Sequence, residues 1–419
     1  MTDIQKENKS GGKVPNRGSV NFPRLRFPEF EGEYRQYSFE DLFLFSTGKN
    51  IKQNEASPEY ETPCVRYGEL YHLYNEIISE VVNKTNLDKS DLTFSIGNEI
   101  LLPSAGEDPL DIGSASALTI KGVAIGRTIN ILRPLKKNLY SNIYVSYYIN
   151  EKLKKKISTL AKGVSISNVY NSDLKILNAL LPSISEQQKI SSFLLLINSR
   201  IQTQNKILEQ LETLIKNVSE KIFSQNIKFK KFEKKWEVKT LGEILIEINE
   251  RTINSNQYRV LSSTAKGLFY QSDYFKKEVA SKDNAGYKIL KINQLVFSPQ
   301  NLWLGNINVN TTYEIGIVSP SYKVFSFNEK AIVSYCKYFL KSSKMMFEYE
   351  QCSEQGASIV RRNLNMDLFL NIPILLPKLE EQIQISSFLT KIDQKIQTEK
   401  AILEQLEIQK KYLLQQMFV

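Results

Sequence analysis

Residues 181–212 and 376–407 are one segment written twice. They align without a gap at an offset of 195, and 19 of the 32 positions are identical, including Leu-Pro, Glu-Gln, Ile-Ser-Ser-Phe-Leu and Ile-Leu-Glu-Gln-Leu-Glu. A duplication this close implies two copies of one structural unit, and it constrains the fold more than any bulk property of the 419 residues. Fainter echoes extend it. Phe30 and Tyr34, followed by Phe39, Asp41 and Leu42, recur as Phe232 and Trp236, followed by Leu241, Glu243 and Ile244. Gly163-Val-Ser-Ile166 recurs as Gly356-Ala-Ser-Ile359, a short distance ahead of each Leu-Pro. Between these markers the halves share little, so the chain runs as variable, constant, variable and constant blocks.

The constant blocks have the pattern of long helices. Apolar residues fall at Ile190, Leu194, Ile197, Ile201, Leu208, Leu211, Ile215, Val218 and Ile222, then at Ile385, Leu389, Ile392, Ile396, Leu403, Leu406, Leu413 and Met417. Alternating four-three spacing is the heptad seam of a coiled coil. Gln204 interrupts the first seam, Glu399 interrupts the second at the equivalent place, and Lys410 stands where Ile215 stands in the first. Pro182 and Pro377 precede the helices, where a missing N–H costs nothing, and Ser183-x-x-Glu186 offers a capping box. At about 35 residues each, the helices would be roughly 50 Å long. The plain reading is an ordinary helical hairpin core. Matched polar breaks favour pairing of the two helices with each other, since a buried polar pair fixes register. Two copies packed antiparallel about a pseudo-twofold axis would carry the variable blocks at opposite ends.

The variable blocks are mixed. Segments 96–103, 118–131, 287–298 and 315–327 are rich in strand formers and punctuated by Gly and Pro, while 142–160 and 331–349 are helical in pattern. The fold class is therefore α+β: two mixed α/β domains separated by two long antiparallel coiled-coil helices, with a pseudo-twofold internal repeat. The expected boundaries are a disordered tail at 1–20, a first α/β domain at 21–180, a helical spacer at 181–225, a second α/β domain at 226–375 and a second spacer at 376–419.

Composition narrows the function. No run of eighteen apolar residues occurs, so no membrane span is expected, and the polar N-terminal stretch lacks the apolar core of a signal peptide. Cys64, Cys336 and Cys352 follow no paired spacing, and His72 is the one histidine, which disfavours a zinc site or a disulfide framework and fits a cytoplasmic protein. The net charge of +10 is uneven: residues 23–180 carry 19 basic and 19 acidic groups, residues 226–375 carry 21 and 14. Such a surplus is compatible with a polyanion partner, and assigns more phosphate contacts to the second block.

Catalytic constellations are missing from the pattern. Ser46-Thr-Gly-Lys49 hints at a phosphate loop, but Phe43 occupies the place of its first Gly, so an ordinary loop lysine is the better reading. No Gly-x-Gly-x-x-Gly, no Asn-Pro-Pro-aromatic motif and no Pro-Asp dipeptide appears. Glu107, Asp108 and Asp111 form an acidic cluster that reads as a solvated turn before it reads as a metal site. No catalytic, cofactor or metal-binding residue is assigned.

With these residues in view, the chain resembles the specificity (S) subunits of type I restriction-modification enzymes. The resemblance rests on Leu181-Pro-x-x-x-Glu186-Gln187 and Leu376-Pro-x-x-x-Glu381-Gln382, each opening a long helix, on Arg24-Leu-Arg-Phe-Pro-Glu-Phe-Glu-Gly32, and on the stretch Gly356–Asn365. It covers the chain after about residue 20. It implies that the α/β blocks are target-recognition domains, each reading half of a bipartite site in double-stranded DNA. The helices would then serve as ruler and as docking surface for two modification (methyltransferase) subunits. Those partners would carry S-adenosylmethionine for adenine methylation, and restriction (translocase/nuclease) subunits would use ATP and Mg, with no cofactor on this chain. Two other classes stay open: a DNA-modifying enzyme with degenerate motifs, and a coiled-coil adaptor that does not bind DNA.

Residue types suggest which side chains could touch DNA. Lys121, Arg127 and Arg133 are the candidates in the first block; Gln300, Asn301, Trp303, Tyr322, Lys323, Arg361 and Arg362 are those in the second. Gln, Asn and Arg can bond base edges in pairs, whereas Lys and backbone amides usually hold phosphate. The bland reading of each is solvated surface, or core for Trp303. Helix–helix packing is assigned to Ile190, Leu194, Ile197, Ile201, Leu208, Leu211, Ile385, Leu389, Ile392, Ile396, Leu403 and Leu406.

Overall fold

The computed structural model describes residues 22–163, 165–232, 235–275, 283–355 and 362–419. The expected tail lies outside them. The chain divides into two compact units, Met1–Thr203 with Leu403–Val419, and Gln204–Ile402. The division crosses the long helices at mid-length, whereas the sequence pattern sets the helices apart as spacers. The physical reason is that each half-helix is packed into the core of an α/β module.

In the first unit, strand Arg35–Ser38 pairs antiparallel with Asn178–Leu181, Arg35 opposite Leu181, so the module closes on itself just before its helix begins. A five-stranded sheet runs in the order Phe43–Thr47, Ile129–Pro134, Glu99–Pro103, Ser116–Leu118, Ile77–Ile78. A four-stranded sheet adds Lys84–Thr85, Thr62–Val65, Lys121–Ile125 and Phe94–Ile96. The strand-forming segment 96–103 holds the end of strand Phe94–Ile96 and the whole of Glu99–Pro103. Gly97 sits at φ 90°, a left-handed turn, and the buried Glu99 carboxylate collects the N–H groups of Ile96 (2.6 Å), Gly97 (2.9 Å) and Asn98 (3.0 Å). The helical run expected at 142–160 forms as Asn142–Tyr148, a π-helical turn at Ile149–Leu153 and Lys154–Thr159.

The second unit repeats the plan. Glu237–Thr240 pairs antiparallel with Pro373–Leu376, and a sheet runs Leu245–Ile248, Lys323–Phe327, Leu295–Phe297, Ile307–Val309. A hairpin of Leu261–Thr264 and Gly267–Tyr270 and the pair Lys288–Lys291 with Ile315–Val318 lie beside it. One helix is expected over 331–349, but two form, Val333–Phe339 and Ser343–Gln351. Ser342 separates them because its hydroxyl accepts from the Met345 N–H at 3.4 Å and caps the second.

The long helices are Ile184–Phe223, 40 residues, and Leu379–Met417, 39 residues, so each is about 60 Å at 1.5 Å per residue. Within the second unit Gln204 meets Glu399, Glu212 pairs with Lys400 at 2.7 Å, and Ile222 and Phe223 share a core with Ile385 and Leu389. Gln204 lies beside Glu399 while Ile222 and Phe223 lie with Ile385 and Leu389, so the pair is antiparallel. In the first unit Ile190 and Leu194 share a core with Leu413, Leu414 and Met417. Of the twelve seam residues, Ile190, Leu194, Leu208, Ile385, Leu389, Ile396 and Leu406 are buried; Ile197, Ile201, Leu211, Ile392 and Leu403 are half-buried. Each buried Leu or Ile stabilises by about 1.5–3 kcal/mol, so apolar burial holds the seam. The matched polar breaks do meet. The Gln204 amide donates to the Glu399 carboxylate and to its carbonyl at 3.0 Å, and Lys395 pairs with the same carboxylate. That contact fixes register rather than adding much stability.

Candidate nucleic-acid interface

The duplicated motif at each helix start is a clamp. In the first copy the Gln187 amide donates to the Pro182 carbonyl at 2.9 Å, and its oxygen accepts the Ser141 N–H at 2.9 Å. In the second copy Gln382 donates to Pro377 O at 2.9 Å and Lys330 O at 3.0 Å, and accepts the Ile332 N–H at 2.8 Å. Ser141 and Ile332 are the N-caps of Asn142–Tyr148 and Val333–Phe339, so the same glutamine ties the long helix to the same helix of each module. Glu186 accepts both Arg26 Nε and Nη2 at 2.8 Å and the Tyr34 hydroxyl at 3.0 Å. Half of the expected capping box forms, with Ser183 Oγ accepting the Glu186 N–H at 3.3 Å. The reciprocal half is not made, since the Glu186 carboxylate is engaged by Arg26. Glu381 is its counterpart, beside Trp236, and burial pushes its carboxyl above the usual range. Aromatic pairs repeat the theme, Phe27 edge-on to Phe193 and Phe229 edge-on to Phe388. The residues most alike between the halves therefore build the frame.

Residues that differ between the halves lie on the modules. In the first, Lys121 and Arg127 are exposed, Lys121 at the start of strand Lys121–Ile125. Arg133 is held by the fold: Nε donates to Glu99 at 3.2 Å, Nη1 to Ser46 Oγ at 3.0 Å and Nη2 to Phe94 O at 3.1 Å. Its fork has a structural use that leaves little for a base. The segment around Lys49 makes no phosphate cradle, because the Gly48 and Lys49 N–H groups donate to Ile129 O (3.1 Å) and Ile125 O (3.0 Å). A side chain at Gly48 would collide with the Gly126 carbonyl, which explains that glycine. Asp108 of the acidic cluster accepts the Leu110 N–H at 2.8 Å and caps a short helix, and no group of three potential metal ligands converges among the described residues.

In the second module the candidates gather at one end of the sheet. Gln300 (exposed), Asn301 and Trp303 (half-buried) lie on the short helix Pro299–Leu304 that follows strand Leu295–Phe297, and Phe297 is paired with Lys323. The Arg362 guanidinium stacks over the Trp303 ring at 4.3 Å and pairs with Glu350 at 3.1 Å. Lys323 pairs with Glu247 at 2.7 Å. Tyr322 is half-buried, its hydroxyl donates to Ser263 O at 3.5 Å, and burial raises its pKa. Arg361 lies outside the described residues.

Sequence reasoning missed a polar network behind Tyr322. Lys341 Nζ donates to Asn308 Oδ1 at 2.7 Å, Asn308 Nδ2 donates to Ser263 Oγ at 2.8 Å, and Ser263 Oγ donates to Asn306 Oδ1 at 2.6 Å. Asn306, Asn308 and Ser263 are all buried. The available signal was the alternation Asn306-x-Asn308-x-Asn310 around strand Ile307–Val309, since carboxamides there must find partners inside the fold. It also missed Arg259, whose guanidinium lies over the Tyr270 ring at 3.4 Å.

Comparisons with known proteins agree with this architecture. The model of the type I restriction modification DNA specificity domain matches residues 31–213 and 233–408, one match per repeat. The type I restriction enzyme MjaVIII specificity subunit of Methanocaldococcus jannaschii is 24% identical over 346 residues, covering 76% of this chain and 77% of that protein. The S subunit of a type I restriction-modification system from M. genitalium superposes with a TM-score of 0.59 at 17% identity, over 95% of this chain and 99% of that one. A chain solved in work on the complex assembly and conformational transition of the type I R-M system gives 0.55 at 14% identity, over 91% and 95%. No helix among the described residues is long and apolar enough to cross a membrane.

Proposed function

This chain belongs to the type I restriction modification DNA specificity family, and we propose that each of its α/β modules reads one half of a bipartite site in double-stranded DNA. One observation carries the reading: the glutamine clamps at the two helix starts are alike, while the module faces they hold are not. Gln187 and Gln382 share two bonds, to the preceding proline carbonyl and from the N-cap N–H of the same helix, but the Gln300–Trp303–Arg362 group has no matching set in the first half. A frame that stays constant under faces that differ suits two readers of different half-sites. Arg and Gln can bond base edges in pairs, and the exposed Gln300, Lys121 and Arg127 are the side chains placed to reach them.

As a specificity subunit the chain works with other restriction-modification subunits and DNA. We assign the long helices to those partners. They leave Leu196 (70% exposed), Ile383 and Tyr412 open to solvent, apolar surface that a bare coiled coil does not need. Two modification subunits would dock there and supply S-adenosylmethionine and the adenine methylation, restriction subunits would supply ATP- and Mg-dependent translocation and cleavage, and the complex would act in the cytoplasm. The residues of this chain bind and position, and no chemical step is assigned to them.

The test is the pattern of modified adenines in DNA from cells that express the chain with its modification subunits. The expected result is an asymmetric two-part motif with an unread spacer. Methylation by the isolated chain would move the function to an enzyme, and an assembled complex with no salt-dependent affinity for duplex would make it an adaptor.

A further inference from the structure

A cleft of about 530 Å³ opens in the second unit between the long helices, the helix Val333–Phe339 and the tip of the hairpin Leu261–Tyr270. Four lysines line it: Lys216, Lys266, Lys337 and Lys341. Its two acids are already engaged. Asp393 accepts from Lys337 Nζ at 2.8 Å and from the Tyr338 hydroxyl at 2.7 Å, and Glu220 accepts the Ser343 N–H and hydroxyl, each at 2.8 Å. Lys337 is paired with Asp393, and Lys216, Lys266 and Lys341 have no ion-pair partner among the described residues. Part of Lys341 stays exposed, yet its ammonium is pushed down to about 8, by loss of solvent first and by the Lys337 charge second. A cationic wall with its own acids engaged lacks a counter-charge, and an anion in the cleft would supply one.

The first repeat carries different groups at the equivalent place. In the register set by the glutamine clamps, Asn150 falls where Lys341 falls and Tyr147 where Tyr338 falls. There Glu76 and Glu151 face the cleft beside Asn150, and Lys410, the counterpart of Ile215, reaches from the long helix to Glu76 at 3.3 Å. Burial and the Glu76 charge raise the Glu151 carboxyl above its ordinary value. The first copy's cleft, about 340 Å³, is lined by two acids, one of them paired with Lys410, and by Lys154, whereas the second is lined by four lysines and two acids.

We propose that the open cleft of the second unit seats one or two phosphate groups of the DNA backbone, anchoring that module without reading bases. The proposal rests on the reading of the module as a DNA-binding domain. Three features favour a phosphodiester. Lysines without rigid forks suit phosphate rather than base edges. The cleft is of a size for a phosphate and its sugar rather than for a folded partner. Moreover, Lys341 and Asn308 lead by hydrogen bonds to the Ser263 hydroxyl, and the carbonyl of that residue accepts from Tyr322, a candidate on the reading face, at 3.5 Å.

The test uses the full chain assembled with its modification subunits, titrated at several salt concentrations with a duplex carrying the methylated motif and with one lacking it. For Lys266→Gln with Lys341→Gln, affinity for both duplexes should fall by a common factor on the order of tenfold near physiological salt. The slope of log affinity against log salt should flatten by about 0.9 per phosphate lost, so by one to two. If the double variant fails to fold, Lys266→Gln alone, at the exposed hairpin tip, carries the test with half the change in slope. An unchanged slope overturns the proposal. So does a loss confined to the cognate duplex, which would make the cleft a base reader. So does a variant with normal DNA affinity that no longer assembles, which would give the cleft to an acidic protein segment. A wild-type complex without salt-dependent duplex binding would instead overturn the parent reading.

Discussion

At equivalent places on the same helix, the two repeats line a cleft with different charges, Lys341 in the second and Asn150 with Glu151 in the first. In the first, Glu76 pairs with Lys410, and Glu151 and Lys154 also line the cleft. In the second, Ile215 replaces Lys410 and Lys341 replaces Asn150. The comparison teaches where a duplicated frame is free to differ. Residues that join module to helix are fixed by packing and geometry, while residues that line the gap between them can change sign without disturbing the fold.

The largest effect is expected where the frame itself is challenged at two places along one helix. Four residues inserted after Thr203, beside the polar break at Gln204, lengthen the helix by about 6 Å and turn it by roughly 40°, a stutter that a coiled coil absorbs by local unwinding. The methylated motif should keep both half-sites and gain one to two unread base pairs. The same insertion within Leu211–Ile222 interrupts an unbroken apolar seam and should lose soluble complex. Equal tolerance of both insertions would mean the seam is not what holds the helices.

A smaller contrast separates the two buried glutamates. Glu186→Ala strands the Arg26 guanidinium and the Tyr34 hydroxyl, and should cost about 3 kcal/mol, the scale for breaking a buried pair. Glu381→Ala removes a carboxylate that has no arginine partner among the described residues and should cost about 1 kcal/mol, the scale of one hydrogen bond. Denaturant midpoints of the two variants decide it, and equal losses would show that the clamps are energetically alike despite their different partners.

Next in size is the Lys410–Glu76 pair beside the first cleft. Lys410→Met leaves Glu76 facing Glu151 and should cost about 1 kcal/mol, since both ends of the pair are partly shielded from water. Adding Glu76→Gln should recover most of that loss. Failure of the second change to restore stability would mean that Lys410 acts by packing over the Tyr147 ring rather than by charge.

The smallest effect is a pH dependence confined to the second cleft. The folded value of Lys341, about 8, lies below the ordinary lysine value of 10.5. Folding is thus penalised while the lysine is charged, fully below about pH 8, and the penalty fades as pH rises towards 10.5. Lys341→Met should therefore be slightly more stable than wild type at pH 7 and indistinguishable near pH 10.5. The gain is small because the lysine keeps contact with solvent. A variant less stable at pH 7 would show that the hydrogen bond to Asn308 outweighs the charge.

Much of this architecture was legible before any coordinates. The repeat, the long helices and the meeting of Gln204 with Glu399 all follow from heptad spacing, because the identity of a seam residue is dictated by one local contact. The helical pattern at 331–349 does not show the break at Ser342, since a serine cap competes with propensity only once the chain has turned. Interface residues were harder still. Arg133 has the side chain of a base reader, yet Glu99, Ser46 and Phe94, all distant in sequence, engage it. The lysines of the basic cleft come from three separate places, a long helix, a hairpin tip and the helix Val333–Phe339 with the turn after it, so no window of sequence shows them together.

The most direct measurement of the central claim, two independent readers on one duplicated frame, is the methylated motif after residues 23–180 are replaced by the corresponding block of a related chain. The clamps at Gln187 and Gln382 join each block to its helix separately, so the exchange should change one half-site and leave the other half-site and the spacer as they were. A change in both halves would contradict the account.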